Sequence, residues 1–349
     1  MIKQFDLTVI GGGIVGLMTA TLAKLRQPTL RLAVVEQKML GFGVTHYSAA
    51  FSTPLSKSIV SQDLIKRGRR IIKEIQNTFS LNLIPTKCLY VVNNCDIDNF
   101  FDQYTGDDLT LINQFSKNDP LNAILKIPKN KRVFFAENSA HYVNIAEMIK
   151  ILAAFLREND CEIFESCRVC DLESKAGGRL KISCSNDFQV ETQKAIFTLG
   201  PWIHQSAFLQ SVASQDISRN KKVVALHLSL KPRLNMPAVV FYNEDAFLLP
   251  LKKQFYSLFS FASDEWNVLP ESHMSVSRQD IQNAKIIFDQ YSMDFDCLYA
   301  GERVFCDNYS VDKEFKIDCM GEHIAVIYGA SGSGYRFSYG LADKLLEIF

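Results

Sequence analysis

The period of the hydrophobic positions changes several times along this chain of 349 residues. Leu7-Thr8-Val9-Ile10 reads as a short buried strand, and Leu17 to Leu25 as a helix, with a glycine-rich turn between them. A second apolar run, Leu32-Ala33-Val34-Val35, ends on an acid, Glu36. The far end repeats this logic. His323 to Tyr328 predicts a buried strand, Gly329-Ala330-Ser331-Gly332-Ser333-Gly334 a tight turn, and Phe337 to Phe349 an amphipathic helix. Between the two ends the period drops to 2. Val224, Leu226, Leu228 and Leu230 alternate with Ala225, His227 and Ser229, as on a half-buried strand, and Val239–Tyr242, Ala246–Pro250 and Phe255–Phe261 continue as antiparallel strands. Asn94–Asp108 and Ser263–Ser272 are the most loop-like segments, the latter carrying the turn signal Leu269-Pro270. The fold class expected is α/β, with no internal repeat.

Gly11-Gly12-Gly13-Ile14-Val15-Gly16 has G-x-G-x-x-G spacing with a strand before it and a helix after it, and Glu36 stands 20 residues past Gly16. Gly11 permits the tight turn, Gly13 lets backbone approach a pyrophosphate, and Gly16 lets the helix pack on the sheet. The helix N-terminus at Ile14 and Val15 then offers N–H groups and a positive dipole end to phosphate. Glu36, followed by Gln37, is placed to accept hydrogen bonds from ribose hydroxyls. A second glycine turn at the other end suggests one long ligand held by both; a tight connection without ligand is the alternative.

Length favours two domains. A hydrophobic share of 47% and a charged share of 22% are those of an ordinary globular chain. Lys plus Arg equals Asp plus Glu, 38 each, so no overall field favours nucleic acid or an anionic membrane. Nine scattered cysteines, an odd number, read as reduced thiols of a cytoplasmic protein. Cys167 and Cys170 have C-x-x-C spacing, but no second pair completes a zinc site, and no metal is expected. The uncharged run Leu7–Ala23 is shorter than the roughly 20 residues a span needs, and its glycines suit a βα turn better than a lipid-facing helix. No transmembrane segment is expected.

Several segments, in order, resemble the flavoprotein amine and amino-acid oxidases of the D-amino-acid oxidase family, nearest its sarcosine oxidase and glycine oxidase branch. After the first fingerprint comes Gly43-Val44-Thr45-His46-Tyr47-Ser48-Ala49-Ala50, similar to a flavin-contacting loop. Tyr142-Val143-Asn144 opens a helix, and Cys161 to Glu173 resembles a strand pair carrying a valine, Val169, near the adenine. Ala195 to Trp202 resembles a strand ending in Gly-x-Trp, here Gly200 and Trp202. Ala300-Gly301-Glu302-Arg303 with Asp312 resembles a G-x-R…D segment, and Gly332-Ser333-Gly334-Tyr335-Arg336 the terminal flavin loop.

The resemblance implies FAD, with its adenine end at Gly11 to Glu36 and its ring between the 43–50 loop (Thr45, Ser48 and Ala49 in contact) and the 329–337 loop. It implies a Rossmann-like FAD-binding domain from 1–80, 141–221 and 301–349. A discontinuous α+β substrate domain, 81–140 and 222–300, would roof the flavin with an antiparallel sheet. A nicotinamide enzyme has no need of the second clamp, and the late Gly-Asp motif of aromatic hydroxylases is missing.

The implied chemistry is hydride transfer from a small amine or amino acid to flavin N5, then hydrolysis of the imine, with O2 taking the electrons as H2O2. Arg336 matches a cation that binds substrate carboxylate; a surface or flavin-phosphate arginine is the other reading. Arg303 would lie beneath the flavin, contacting the ring or the substrate acid, or form a buried ion pair with Asp312. His46 and Tyr47 fall in the loop near the ring, where His46 either adjusts amine protonation or bonds backbone. Tyr256 orients substrate or packs in the core, and His227 is expected to face solvent. Two cations of the family pattern are missing. The lysine that promotes oxygen reduction aligns near Leu258, with Lys252 and Lys253 several residues early, and an arginine near 49–52 is replaced by Ala49, Phe51 and Ser52. These gaps keep two alternatives open: a dehydrogenase passing electrons to a quinone or other carrier, with a hydroxy acid as a further substrate class, or a flavin-binding assembly subunit without catalysis. The flavin is expected to be dissociable. A covalent link through Cys306 is the alternative, but Cys306 is displaced by one residue from the attachment position, where Phe305 stands, and one residue on a strand reverses the face.

Overall fold

A computed structural model describes residues 2–56, 58–112, 125–210, 212, 214, 216–233, 236–251 and 256–349. Lys252 and Lys253 lie outside the described residues.

The apolar runs at the two ends of the chain meet in one sheet. Its order is Lys316–Met320, Ile324–Tyr328, Gln189–Phe197, Lys3–Ile10, Leu32–Val35, Glu162–Phe164. All neighbours are parallel except the first two, which form a hairpin. Parallel pairing has one decisive consequence. Ile10, Val35, Phe197 and Tyr328 end their strands at the same edge, so both glycine turns open there, with Thr198 and Glu36 beside them. The runs are buried on both faces, which is why they read as continuous rather than alternating.

Helices Ile14–Arg26, Ile59–Gln76, Ile145–Glu158 and Gly334–Leu346 cover one face. The antiparallel pair Val169–Ser174 and Leu180–Cys184 covers the other. Asn144 caps the third of these helices through Glu147 N, and Ser58 caps the second through Ser61 N. Asp343, 1% exposed, accepts from Arg26 at 2.8 Å, Arg67 at 3.0 Å and Arg70 at 2.5 Å, tying three helices distant in sequence to one carboxylate.

The second sheet has the order Tyr299–Ser310, Ser218–Leu228, Tyr256–Trp266, Ala246–Leu251, Ala238–Phe241, Ile84–Asn93, Lys131–Tyr142, Phe51–Ser52. Only Ala238–Phe241 with Ile84–Asn93 is a parallel pair. One face packs on helix Arg278–Gln290 through Val224, Leu226, Phe259 and Phe288, and Lys222 is ion-paired to Asp280 there with both side chains 3% exposed. The opposite face turns toward the glycine turns. Ser218–Leu228 is therefore buried on both sides, Ala225 included, rather than half-buried.

Three stretches differ from expectation. Tyr299–Ser310 pairs with Ser218–Leu228 along its length, so residues 301–310 sit in the second sheet rather than with the first. The loop expected over Asn94–Asp108 contains the helix Ile97–Gln103, held by fully buried Phe100 stacked on Phe134 at 5.2 Å. That long-range aromatic contact has no local signature. Strand Tyr256–Trp266 likewise runs into the loop-like stretch from Ser263. No helix among the described residues is long and apolar enough to cross a membrane.

Candidate functional site

The edge carrying both glycine turns opens into a cleft between the two sheets. At its outer end the backbone is held by its own neighbours. Gly11 has φ +106°, and a Cβ there would lie 2.5 Å from Thr198 O; a Cβ on Gly16 would lie 1.9 Å from Gly11 O. Gly16 is thus a packing residue, whereas Gly11, Gly13, Ile14 and Val15 line the cleft. A Cβ at Gly13 would meet only Thr45 Oγ1, at 3.2 Å, so bare backbone faces the cavity. Thr198 Oγ1 donates to Ile10 O and Gly11 O, a brace that the sequence reading missed.

Glu36 is 9% exposed and accepts from Gly12 N at 2.7 Å and Lys38 N at 2.8 Å. Burial pushes its pKa up, against those backbone hydrogen bonds. An ionised carboxylate has about four acceptor sites, so capacity for ribose hydroxyls remains. Gln37 and Val169 line the cleft beside it. Thr45 acts differently from a simple wall residue, because its Oγ1 accepts from Ile14 N at 3.0 Å and so caps the first helix from a distant loop.

Further in, Ser48, Ala49, Gly200, Trp202, Gly332, Gly334, Tyr335 and Arg336 line the same cleft. Trp202 is fixed by its indole N–H donating to Glu271 at 2.5 Å. The Tyr335 side chain turns away into the helix core, its hydroxyl 3.2 Å from that of Tyr339, which leaves its backbone for a ligand. Ser333 is not in the lining; its hydroxyl accepts from Arg336 Nη2. Arg336 also donates to Leu55 O at 3.0 Å, while its Nε is buried without a hydrogen-bond partner. Among the described residues no carboxylate stands within ion-pair distance of it. Burial pushes its pKa down to about 10, partly countered by the charge of Asp245. It remains a cation at neutral pH, half-buried and without a counterion in contact among the described residues.

The second sheet supplies the rest of the lining, of which the sequence reading did not single out Phe247 or Asp307. Phe247, Leu258, Ala225 and Phe305 form an uncharged wall, and Asp307 lies two residues beyond Phe305 on the same strand face. Asp307 is 6% exposed and accepts from Asn308 N at 2.8 Å and Gly332 N at 2.9 Å. Burial without a cation raises its pKa to about 6, against these two backbone bonds. The signal that could have found it is parity: Arg303, Phe305 and Asp307 alternate on one strand.

Three candidates fall elsewhere. His46, Tyr256 and Arg303 line a second cavity, adjoining the cleft through a wall formed by Tyr47 and Phe305. Those two rings stack 5.8 Å apart at 13°, and both line both cavities. Arg303 donates from Nε to His227 Nε2 at 2.8 Å and from Nη2 to Tyr256 Oη at 2.5 Å. It forms no ion pair with Asp312, which instead binds Lys316, the nearer cation at i+4. His227 is half-buried rather than solvent-facing, because strand Tyr299–Ser310 covers it; burial and then the Arg303 charge hold its pKa down. Cys306 is 3% exposed, and burial raises its thiol to about 12, while Phe305 occupies the cleft-facing position.

The cleft fits a long dinucleotide. It has a Cβ-free cradle at one end, a buried acid beside it, a second glycine turn at the other end, and an unpaired guanidinium next to that turn. A family model described as "DAO: FAD dependent oxidoreductase" matches residues 6–348. A comparison with curated proteins gave no match. Among solved structures, L-proline dehydrogenase from P. horikoshii superposes with a TM-score of 0.80 at 14% identity, covering 99% of this chain and 93% of that one. Glycine oxidase from Geobacillus kaustophilus gives 0.78 at 14%, covering 99% and 94%. L-α-glycerophosphate oxidase from Mycoplasma pneumoniae, with FAD bound, gives 0.76 at 15%, covering 99% and 95%.

Proposed function

The chain belongs to the DAO family of FAD-dependent oxidoreductases, with FAD as its cofactor, and from that premise we propose that it oxidises the carbon–nitrogen bond of a small amine or amino acid bearing a carboxylate. The observation that carries this reading is Arg336, a half-buried guanidinium lining the cleft with no carboxylate in contact among the described residues and one unpartnered N–H. When bound, the flavin would supply a two-electron acceptor for the substrate's α-hydrogen, leaving as hydride.

The protein's own contribution is placement and desolvation. Gly11, Gly13, Glu36 and the 329–334 turn hold the cofactor at its two ends. Arg336, held by Leu55 O and Ser333 Oγ, offers its N–H edge to a substrate carboxylate and fixes which carbon faces the cofactor. Ala49, Phe51, Phe247 and Leu258 line that end of the cleft. Such a wall disfavours an ammonium ion, so the bound amine gives up its proton and keeps its lone pair for the forming C=N bond. The imine product leaves for water, where it hydrolyses.

With O2 as final acceptor the second product is H2O2. Leu258, standing in the uncharged wall with Ala225 and Val223, supplies no positive charge for reducing oxygen. That wall favours slow oxidation by O2 and supports a second reading, a dehydrogenase with another acceptor.

The test is anaerobic bleaching of the flavin by a panel of amines, amino acids and hydroxy acids. Bleaching is expected with a carboxylate-bearing amine, and with Arg336→Gln its half-saturating concentration should rise at least tenfold. Bleaching by hydroxy acids alone would overturn the reading, as would no bleaching by any of them.

A further inference from the structure

The second cavity is not part of the cleft that holds the cofactor, yet it shares the Tyr47–Phe305 wall with it. We propose that this cavity binds the enzyme's electron acceptor, a small planar aromatic oxidant of the quinone class carrying a negative charge or a polar carbonyl. The inference requires FAD in the cleft and is independent of which substrate reduces it.

Charge points first to this ligand. Arg303 is held by two neutral acceptors, His227 Nε2 and Tyr256 Oη, so its position is fixed and its charge is not cancelled. Among the described residues it has no carboxylate partner, and nothing accepts from its Nη1, which is left to meet a ligand. Lys38 stands on the same cavity with its ammonium 5.8 Å from the Phe42 ring and 6.0 Å from the Trp202 ring. The one acid among the described lining residues, Glu302, accepts a hydrogen bond from the Tyr299 hydroxyl.

Shape points the same way. Tyr47, Phe305 and Trp202 line the cavity, and flat rings pack against aromatic side chains offset or edge to face. A ring seated there is separated from the cleft by the side chains that line both, Tyr47 and Phe305 together with Phe42, Val44 and Trp202. The uncharged wall at Leu258 gives oxygen no comparable site. The overall reaction balances without oxygen: the amine loses two electrons and two protons in becoming the imine, and the quinone gains two electrons and two protons in becoming a quinol.

The probe is 1,4-naphthoquinone-2-sulfonate, with uncharged menadione for comparison. Binding to the oxidised FAD-loaded protein is measured by calorimetry. Separately, the flavin is reduced anaerobically with dithionite, freed of excess, and mixed with the probe while its visible absorbance is followed. Saturable reoxidation is expected, with a half-saturating concentration that agrees with the calorimetric Kd. Arg303→Gln should weaken the sulfonated quinone about tenfold, equivalent to about 1.4 kcal/mol, and menadione less. Lys38→Gln, at an exposed side chain, tests the same field if Arg303→Gln fails to fold, with a loss of about threefold expected. Absence of binding by calorimetry would overturn the proposal. So would unsaturated reoxidation that neither variant changes.

Discussion

The two glycine turns stand at the same edge of the same parallel sheet, but they are held there by different means. In the first, the constraint is local: Gly11 and Gly16 touch each other's backbone, and Thr198 closes the turn from the adjacent strand. In the second, the constraint comes from the other sheet. Gly329 N donates to Asn308 Oδ1 and Gly332 N to Asp307 Oδ2, across 21 and 25 residues of chain. The first turn is therefore a rigid seat built by one βα unit, and the second is a joint between the cofactor-holding sheet and the roof. A joint of this kind can report what the roof binds.

Breaking the local turn should have the largest effect. Gly16→Ala places a methyl 1.9 Å from Gly11 O, where only backbone can move, at a cost of about 3 kcal/mol or more. The purified variant should be colourless and should melt well below the parent. Gly200→Ala is its control. Gly200 has φ +54° but no atom within 4 Å of the added Cβ, so about 1 kcal/mol of backbone strain and retained colour are expected.

Removing the cation beside the second turn should leave the cofactor bound and the chemistry impaired. Arg336→Gln keeps a donor but loses the charge and fork geometry, and losing a buried charge partner costs about 2–5 kcal/mol. For a carboxylate-bearing amine, kcat/KM should fall by about a hundredfold, measured by anaerobic flavin reduction. For the same amine without its carboxylate, the parent and the variant should differ little.

The contrast between the turns also explains what could be read in the sequence. G-x-G-x-x-G with its flanking strand, helix and Glu36 carries its own context, and the structure places Gly11, Gly13, Ile14, Val15, Glu36 and Gln37 along one cleft. Strand parity puts Asp307 on the face of Phe305, but no local signal names its partner or that of Asn308, because these lie 25 and 21 residues on, in the second glycine turn. Arg303 was visible as a charged residue on a strand, but its neighbours His227 and Tyr256 arrive through strand pairing, and so its place in the adjoining cavity was not legible. The helix Ile97–Gln103 was hidden for a similar reason, since Phe100 is fixed by Tyr90, Phe134 and Tyr242 from three other strands or strand ends.

A pH effect sharpens the comparison at the joint. Asp307 has a folded-state pKa raised from 3.8 to about 6. A raised carboxyl favours the folded state most when protonated, so its contribution is fully present below pH about 4 and is lost as pH rises through about 6. Asp307→Asn removes that dependence, but it gives up one of two accepted N–H bonds, at about 1 kcal/mol. The cofactor-free variant should thus lose stability relative to the parent at pH 4 and recover by about 2 kcal/mol between pH 4 and 7. Denaturant midpoints at the two pH values check this. A constant difference between them would show that Asp307 does not titrate in that window.

The smallest effect is expected where the first turn meets the 43–50 loop. Thr45 Oγ1 accepts from Ile14 N across 31 residues, so a loop that lines the inner cleft also caps the helix at its outer end. Thr45→Val keeps the shape and removes the acceptor, leaving a buried helix N–H unsatisfied at about 1 kcal/mol. If the first turn is as self-contained as its backbone contacts indicate, this variant should still bind FAD, with affinity weakened about fivefold by calorimetry and no change in pH dependence. A loss of colour as complete as that of Gly16→Ala would show that the first turn, too, is a joint, seated by the 43–50 loop and not by its own glycines.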